Sequence, residues 1–198
     1  IPSIKVLINM AGISKSIENA RKFGITTLNE PDSFYGPSIV LGGGEVRLLD
    51  MVSAYGVFAT EGLRVPPVSI LRIEDPHGNI IEKPEPTPRR VLEEKPAQLI
   101  NSILSDNEAR APLFGYHSAL YFKDYQVAVK TGTTNDFRDF WAIGYTPSIV
   151  VGTWVGNNDN SPMRGAFLAA PLWRKFMLKV LPTLPKERFT PIAPDTQE

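Results

Sequence analysis

The stretch Val129-Lys130-Thr131-Gly132-Thr133-Thr134 predicts a β-strand at the centre of the fold, because it places β-branched residues at alternate positions and leads directly into a polar turn. It ends the first of three strand-like segments, which we place at 125–133, 137–145 and 149–156. Short connections such as those between these segments join antiparallel neighbours. The sequence therefore predicts a three-stranded antiparallel meander around this stretch.

Helical periodicity marks the segments on both sides of the meander. Pro2 suits the first turn of a helix, while Gly24 and Gly62 each suit a position just beyond a helix end. We expect the first of these helices to be buried. The predicted helices lie at 1–10, 14–23, 46–60, 95–104 and 165–181.

Apolar residues at helical spacing predict the inward faces of two of these helices. In the helix at 46–60 the inward residues are Leu48, Leu49, Val52, Tyr55 and Phe58. In the closing helix at 165–181 they are Phe167, Leu168, Leu172, Phe176 and Val180.

The remaining segments are predicted to form loops, one surface hairpin and a tail. Loops are predicted at 29–38 and 107–123, and a surface hairpin at 65–83 turns at 75–79. We interpret 1–181 as one domain portion that includes this hairpin. The segment 182–198, rich in Pro and poor in apolar residues, reads as a linker or tail.

Composition excludes several function classes. The 198 residues carry 21 basic and 21 acidic side chains without a basic run, which gives no indication of a nucleic-acid partner. No Cys is present, so disulfides and thiolate metal sites are excluded, and we expect no metal or cofactor. His77 and His117 are isolated and read as solvent-facing. No apolar run reaches the roughly 18–20 residues that cross a bilayer.

The residues at the end of the first strand suit the binding of an extended peptide. A strand edge offers N–H and C=O groups, and Gly132 leaves room for a close backbone. Thr131 and Thr133 share a face and could donate hydroxyls to a carboxylate, while Lys130 adds a positive charge. Strict alternation points Lys130 to the opposite face. The residues alone also allow an ordinary strand end followed by a turn.

Five segments together resemble the transpeptidase domain of class A penicillin-binding proteins, with the 1C type as the most similar variant. The resemblance covers 1–181 and implies an α/β (α+β) fold of the serine β-lactamase and transpeptidase type. In that fold an antiparallel sheet is flanked by helices. It also implies that the amino-terminal part of the domain is missing. The segments lie at 41–46, 54–59, 130–139, 141–147 and 151–157.

The resemblance assigns roles to the residues of the strand. Lys130 would hydrogen-bond the Ser of a Ser-x-Asn motif and support proton transfer. Thr131, Gly132 and Thr133 would bind the substrate, with both threonines on its carboxylate and the N–H of Thr133 donating to the oxyanion. The nucleophile of a Ser-x-x-Lys motif is expected upstream, because no Ser in the chain has Lys three residues later.

A literal Ser-Asp-Asn sequence occurs at 105–107. It follows the 41–46 segment, whereas the family's motif precedes it, and such residues are common at helix ends. We interpret it as a structural helix terminus rather than as a catalytic motif.

The function implied is that of a peptidoglycan D,D-transpeptidase that binds D-Ala-D-Ala stem peptides and β-lactams. Its parent would work at the outer face of the cytoplasmic membrane, in the cell envelope, usually beside a glycosyltransferase domain. We expect the isolated chain to be inactive and loosely packed. Two alternatives stay open: a non-catalytic stem-peptide-binding or scaffold module, and a hydrolase that uses Ser14 or Ser118.

Overall fold

The centre of the fold is a three-stranded antiparallel sheet. The computed structural model describes residues 2–164 and 168–192. Its central strands are β5 (Ala128–Thr133), β6 (Asp139–Thr146) and β7 (Ile149–Gly156), in the order β5-β6-β7. The register pairs Ala128 with Tyr145 and Thr146 with Ile149. The predicted meander is confirmed.

One face of the sheet is covered by helix α7 (Ala169–Val180). Trp173 and Met177 of this helix are fully buried against Phe140 and Ala142 of β6. Gly144 makes the close approach possible, because an added Cβ would lie 2.2 Å from Cζ2 of Trp173. The strand presents alternate residues to this face, as its two-residue period requires.

The opposite face is covered by α4 (Leu48–Ala59) and α5 (Glu94–Ser105). Tyr145 is fully buried there, and its hydroxyl donates to Oδ1 of the buried Asn101 at 2.7 Å. Asn101 in turn donates to the carbonyl of Phe58 on α4 at 3.0 Å. Helices therefore flank an antiparallel sheet, and the predicted mixed α and β fold is confirmed.

The predicted inward face of the closing helix is wrong. Leu172 and Phe176 are exposed to 54% and 51%, whereas Trp173 and Met177 point inward. The helix is apolar on two neighbouring stripes, and the stripe that includes Ala169 and Ala170 allows the closer approach to the sheet. Leu168 is also exposed, Val180 is half-buried, and Phe167 and the predicted start at 165 lie outside the described residues.

The amino-terminal helices form a separate layer. These are α1 (Pro2–Val6), a π-helical continuation (Leu7–Ala11) and α2 (Ile13–Phe23), which ends at the left-handed Gly24 as predicted. The expected burial of the first helix is wrong, because Leu7 alone is buried there. The contacts of the helix are with α2 and the 3-10 segment described next, which leave most of its described side chains exposed or half-buried.

Two predicted loops contain helices. The first holds α3 (Asp32–Tyr35) and a 3-10 helix (Gly36–Leu41), anchored by the buried ring of Tyr35. The second holds α6 (Asn107–Phe114), which includes Pro112. Pro, Asp and Ser near a helix start resemble loop composition, so the sequence pattern favours a loop in both segments.

The long predicted helix is present as α4, with Gly62 left-handed beyond its end at φ 100°. Its inward face differs in part from the prediction, since Leu49 is 61% exposed and Val57 is fully buried. The helix rests on β7, where an added Cβ at Gly152 would lie 2.4 Å from Val52. Contact with the strand therefore fixes the rotation of the helix.

The excursion after α4 is held at its base by two short strands, β1 (Leu63–Arg64) and β4 (Arg89–Arg90), which pair antiparallel. Beyond them β2 (Ile73–Glu74) and β3 (Ile80–Glu82) form the predicted surface hairpin, which we call the outer hairpin. Residues 65–72 of the predicted hairpin precede β2.

The segment after α7 begins with a 3-10 turn (Leu181–Thr183). Phe189 then packs edge-on against Tyr145, with ring centroids 5.5 Å apart, and its N–H donates to Gln126. This part of the predicted tail is therefore docked beside the sheet. Among the residues that the structure describes, no helix has both the length and the apolar character to span a bilayer.

Candidate active site

Strand β5 forms one edge of the central sheet, with β6 on its other side. Just beyond it, the N–H of Thr134 donates to the carbonyl of Asp139 at 3.1 Å, which makes these two residues a hydrogen-bonded pair. Antiparallel ladders alternate hydrogen-bonded and non-hydrogen-bonded pairs. In this register the N–H and C=O groups of Thr131 and Thr133 point away from β6, toward the free edge.

The side-chain ammonium of Lys130 lies at the same edge of β5. Its side chain is exposed, and Nζ donates a short hydrogen bond to the carbonyl oxygen of Thr131. The strand period alone places Lys130 on the face opposite to Thr131, but the length of the side chain brings the ammonium to the edge. Lys130, Thr131 and Thr133 are therefore brought together.

Gly132 lies between the two threonines, on the face that Trp141 of β6 shares. A Cβ added to Gly132 would lie 3.5 Å from Cβ of Trp141, which is ordinary van der Waals contact. The fold of this chain thus does not itself require Gly at this position. The absence of a side chain instead leaves the strand open to an approaching ligand.

The turn that follows β5 has an unusual backbone. Asp136 and Phe137 both have positive φ, at 59° and 56°, which is a sparsely populated region for residues other than Gly. Arg138 lies 3.9 Å from Asp136 across an exposed ion pair and donates to the carbonyl of Asn160. The N–H of Met163 donates to the carbonyl of Phe137 at 3.0 Å. These contacts hold the turn against the loop after β7.

Asp139 connects this turn to the third strand. One carboxylate oxygen accepts from Nε1 of Trp154 on β7 at 2.9 Å, and the other accepts from the Thr134 hydroxyl at 3.0 Å. The N–H of Asp139 donates to that same hydroxyl at 2.8 Å. Trp154 is 41% exposed and acts here as a hydrogen-bond donor. No local pattern signals a pair fifteen residues apart.

The other two tryptophans differ from each other. Trp173 is fully buried, as expected of a core aromatic, and its Nε1 donates to the carbonyl of Val151 at 3.1 Å. Trp141 is half-buried on β6.

The Ser-Asp-Asn sequence at 105–107 is a helix junction, as interpreted. Ser105 ends α5, and the Asp106 carboxylate accepts from the N–H of Ala109 at 2.9 Å as the N-cap of α6. His77 and His117 are both exposed. Within residues 2–164 and 168–192, no group of three or more His, Asp or Glu is placed to hold a metal ion.

Comparison with known proteins now identifies the fold and its family. The family described as "Penicillin binding protein transpeptidase domain" matches residues 24–178. The chain belongs to this family. Penicillin-binding protein 1A of Aquifex aeolicus is 33% identical over 191 residues, which cover 92% of this chain and 24% of that protein.

A second relative has similar coverage. Penicillin-binding protein 2a of Streptococcus pneumoniae is 31% identical over 195 residues, with 92% of this chain and 26% of that protein covered. The chain thus spans about a quarter of the length of these relatives. The resemblance to class A penicillin-binding proteins is confirmed, whereas the 1C type stays a prediction.

Two solved structures share the fold. That of the penicillin-binding protein PonA1 from Mycobacterium tuberculosis superposes with a TM-score of 0.80 at 22% identity, over 98% of this chain and 58% of that one. Penicillin-binding protein 1A from Haemophilus influenzae gives 0.78 at 24% identity, over 96% and 34%. These likenesses confirm the serine β-lactamase and transpeptidase type of fold that the resemblance implied.

Proposed function

We propose that this chain supplies the β5 side of the active site of a peptidoglycan D,D-transpeptidase. The single observation that supports this most is the free edge of β5, where the main-chain groups of Thr131 and Thr133 and the ammonium of Lys130 converge. An extended peptide can add to such an edge as a further strand. Its carboxylate would meet both threonine hydroxyls and the positive charge.

The reaction would be acyl transfer through a serine that these 198 residues do not contain in a Ser-x-x-Lys motif. The serine oxygen attacks the carbonyl between two D-Ala residues, the terminal D-Ala leaves with a proton, and an amine of a second stem peptide then takes the acyl group. Lys130 would stabilise the developing charge and assist proton transfer. The N–H of Thr133, directed to the free edge, would donate to the oxyanion.

β-Lactams would acylate the same serine. One of the structural relatives, PonA1 of Mycobacterium tuberculosis, has been solved in complex with penicillin V. This supports β-lactam binding by the protein to which the chain belongs. That protein would act in the cell envelope, at the outer face of the cytoplasmic membrane, as a class A enzyme that usually carries a glycosyltransferase domain too.

The test is covalent labelling by a fluorescent penicillin. The intact native protein should form a labelled adduct, and mass spectrometry should place the adduct on a Ser of a Ser-x-x-Lys motif outside these 198 residues. The 198-residue chain alone should take no label. Labelling of Ser14 or Ser118 would favour the hydrolase alternative, and an unlabelled intact protein that still binds stem peptide would favour the non-catalytic module.

A further inference from the structure

A second concave site lies beyond the amino-terminal end of β5. It is a cleft of about 480 Å³ between the start of α6, the segment 120–127 and the chain at 186–188. Its wall reaches Val127, four residues before Thr131. At roughly 3.3 Å per strand residue this separates it from the candidate active site by about 13 Å. We call it the basic cleft.

Hydrogen bonds between distant segments build the cleft. Nε2 of Gln126 donates to the Ser105 hydroxyl at 3.3 Å, and Oε1 of Gln126 accepts from the N–H of Phe189 at 3.1 Å. Nζ of Lys186 lies 5.2 Å from the ring centroid of Tyr125. Three parts of the fold are thereby held around one cavity, which makes it a defined part of the structure rather than a gap between loops.

The wall of the cleft carries more positive than negative charge. Four basic side chains line it against two acidic ones, Asp124 and Glu187. The carboxylate of Glu187 accepts a hydrogen bond from the Ser148 hydroxyl, so one acid is already engaged. The basic residues are Arg110, Lys123, Lys186 and Arg188.

Arg110 has unused hydrogen-bonding capacity. Its Nε donates to the carbonyl of Asp106 at 3.0 Å and its Nη2 to that of Leu104 at 2.7 Å. Its Nη1 is buried with no partner among the described residues, and the same holds for Oδ1 of Asn107, one helical turn away. Burial lowers the pKa of the Arg110 guanidinium, with Asp106 opposing the shift, yet an arginine stays charged at neutral pH.

We propose that the basic cleft binds an oxyanion, a phosphate or a carboxylate group, beside Arg110. A buried guanidinium nitrogen without a partner is costly, and a charged acceptor oxygen would satisfy it. Nη1 itself has almost no accessible surface, so binding requires a small side-chain movement; Asn107 also lines the cleft, and its side chain donates to the carbonyl of Tyr116 at 3.2 Å. The other cations attract the ligand to the cleft.

The test is isothermal titration calorimetry of the intact native protein with sodium phosphate and, separately, with sodium acetate, at neutral pH and constant ionic strength. Asn107→Asp is the decisive variant, because it places a fixed carboxylate one helical turn from Arg110 and competes with the ligand. We expect it to weaken oxyanion binding about tenfold or more. Lys123→Ala, an exposed change, should weaken binding less.

Asn19→Asp is the matched control, because it adds the same charge at an exposed position of α2. It should change the affinity by less than about twofold, since distant surface charges are screened. Tighter binding of phosphate than acetate would indicate a phosphate-bearing ligand, and the reverse a carboxylate. Absence of saturable binding of either anion, or equal affinity in Asn107→Asp and the native protein, would overturn the proposal.

Discussion

Two hairpins of this chain are each organised by one aspartate, and they use it differently. In the outer hairpin, Asp75 accepts from the N–H groups of His77 and Asn79 and from the Asn79 amide, each at 2.8 Å. All of these bonds stay within one turn. In the β5–β6 hairpin, Asp139 bonds Thr134 within the hairpin and also Trp154 on a third strand. Asp75 therefore stabilises the outer hairpin through local hydrogen bonds, whereas Asp139 also ties its hairpin to the neighbouring strand.

The two hairpins also differ in how far their strands are buried. The strands of the outer hairpin are exposed throughout, whereas β6 is buried from Ala142 to Thr146 between helices. A framework that is fixed by its core can hold backbone in rare conformations, such as the positive φ of Asp136 and Phe137. The candidate site thus lies on the hairpin whose geometry the rest of the fold determines.

Replacing Lys130 of the β5–β6 hairpin should have the greatest effect, and that effect is on activity. Lys130→Met removes the ammonium at the β5 edge while keeping a long apolar chain. We expect the rate of penicillin acylation of the intact protein to fall about 10³-fold, because charge stabilisation and proton transfer are both lost. Fluorescent-penicillin labelling, followed over time, measures the rate.

Lys83→Met is the matched control, because Lys83 is exposed and follows directly after the outer hairpin. Its acylation rate should match that of the native protein. An acylation rate in Lys130→Met within about tenfold of the native one would contradict the proposed role of Lys130.

The next effect is on stability. Asp139→Ala removes the bonds to Trp154 and Thr134 and should lower the free energy of unfolding by about 2 kcal/mol, as expected for charge-assisted hydrogen bonds. Urea denaturation of the intact protein measures it. Asp75→Ala should leave the global midpoint unchanged and speed amide hydrogen exchange only within 75–79. Equal urea midpoints for Asp139→Ala and Asp75→Ala would contradict the expectation that only the β5–β6 hairpin contributes to global stability.

A smaller effect is expected from a single hydroxyl at the edge of β5. Thr133→Val keeps the β-branched shape and the main-chain N–H but removes the hydroxyl proposed to bind the substrate carboxylate. The second-order rate constant of acylation should fall about tenfold, and the urea midpoint should not change. A loss of stability without a loss of rate would assign Thr133 a structural role instead.

Sequence periodicity predicted the meander because each strand alternates apolar and small or polar residues, and β7 has the predicted bounds. It could not predict which stripe of α7 faces inward, because that depends on the space that Gly144 leaves for Trp173 across the sheet. The helix α6 was missed since the capping role of Asp106 resembles loop chemistry.

The candidate site was predictable in its residues but not in its geometry. Lys130, Thr131 and Thr133 stand together in sequence, whereas the direction of their main-chain groups depends on which strand pairs with β5. The position of Nζ of Lys130 at the strand edge depends on the conformation of its side chain. The link from Asp139 to Trp154 depends on the register of β6 with β7, which no local pattern encodes.

The smallest expected effect is a pH dependence confined to the outer hairpin. The Asn79 side-chain amide, then the N–H groups of the turn, hold the pKa of Asp75 below its ordinary value of about 3.9. A lowered folded-state pKa stabilises the turn above the unfolded pKa, and this contribution is lost as the pH falls through the folded-state pKa.

Asn79→Ala removes the largest cause and should raise the pKa of Asp75 toward its ordinary value, as measured from the carboxyl ¹³C shift across an acid titration. The turn would then open at a higher pH, with faster amide exchange at 77–79, while the acylation rate stays unchanged. A pKa that does not move in Asn79→Ala would mean that the main-chain donors alone hold the carboxylate. A change in acylation rate would mean that the outer hairpin is coupled to the β5 edge, and the two hairpins would no longer be independent.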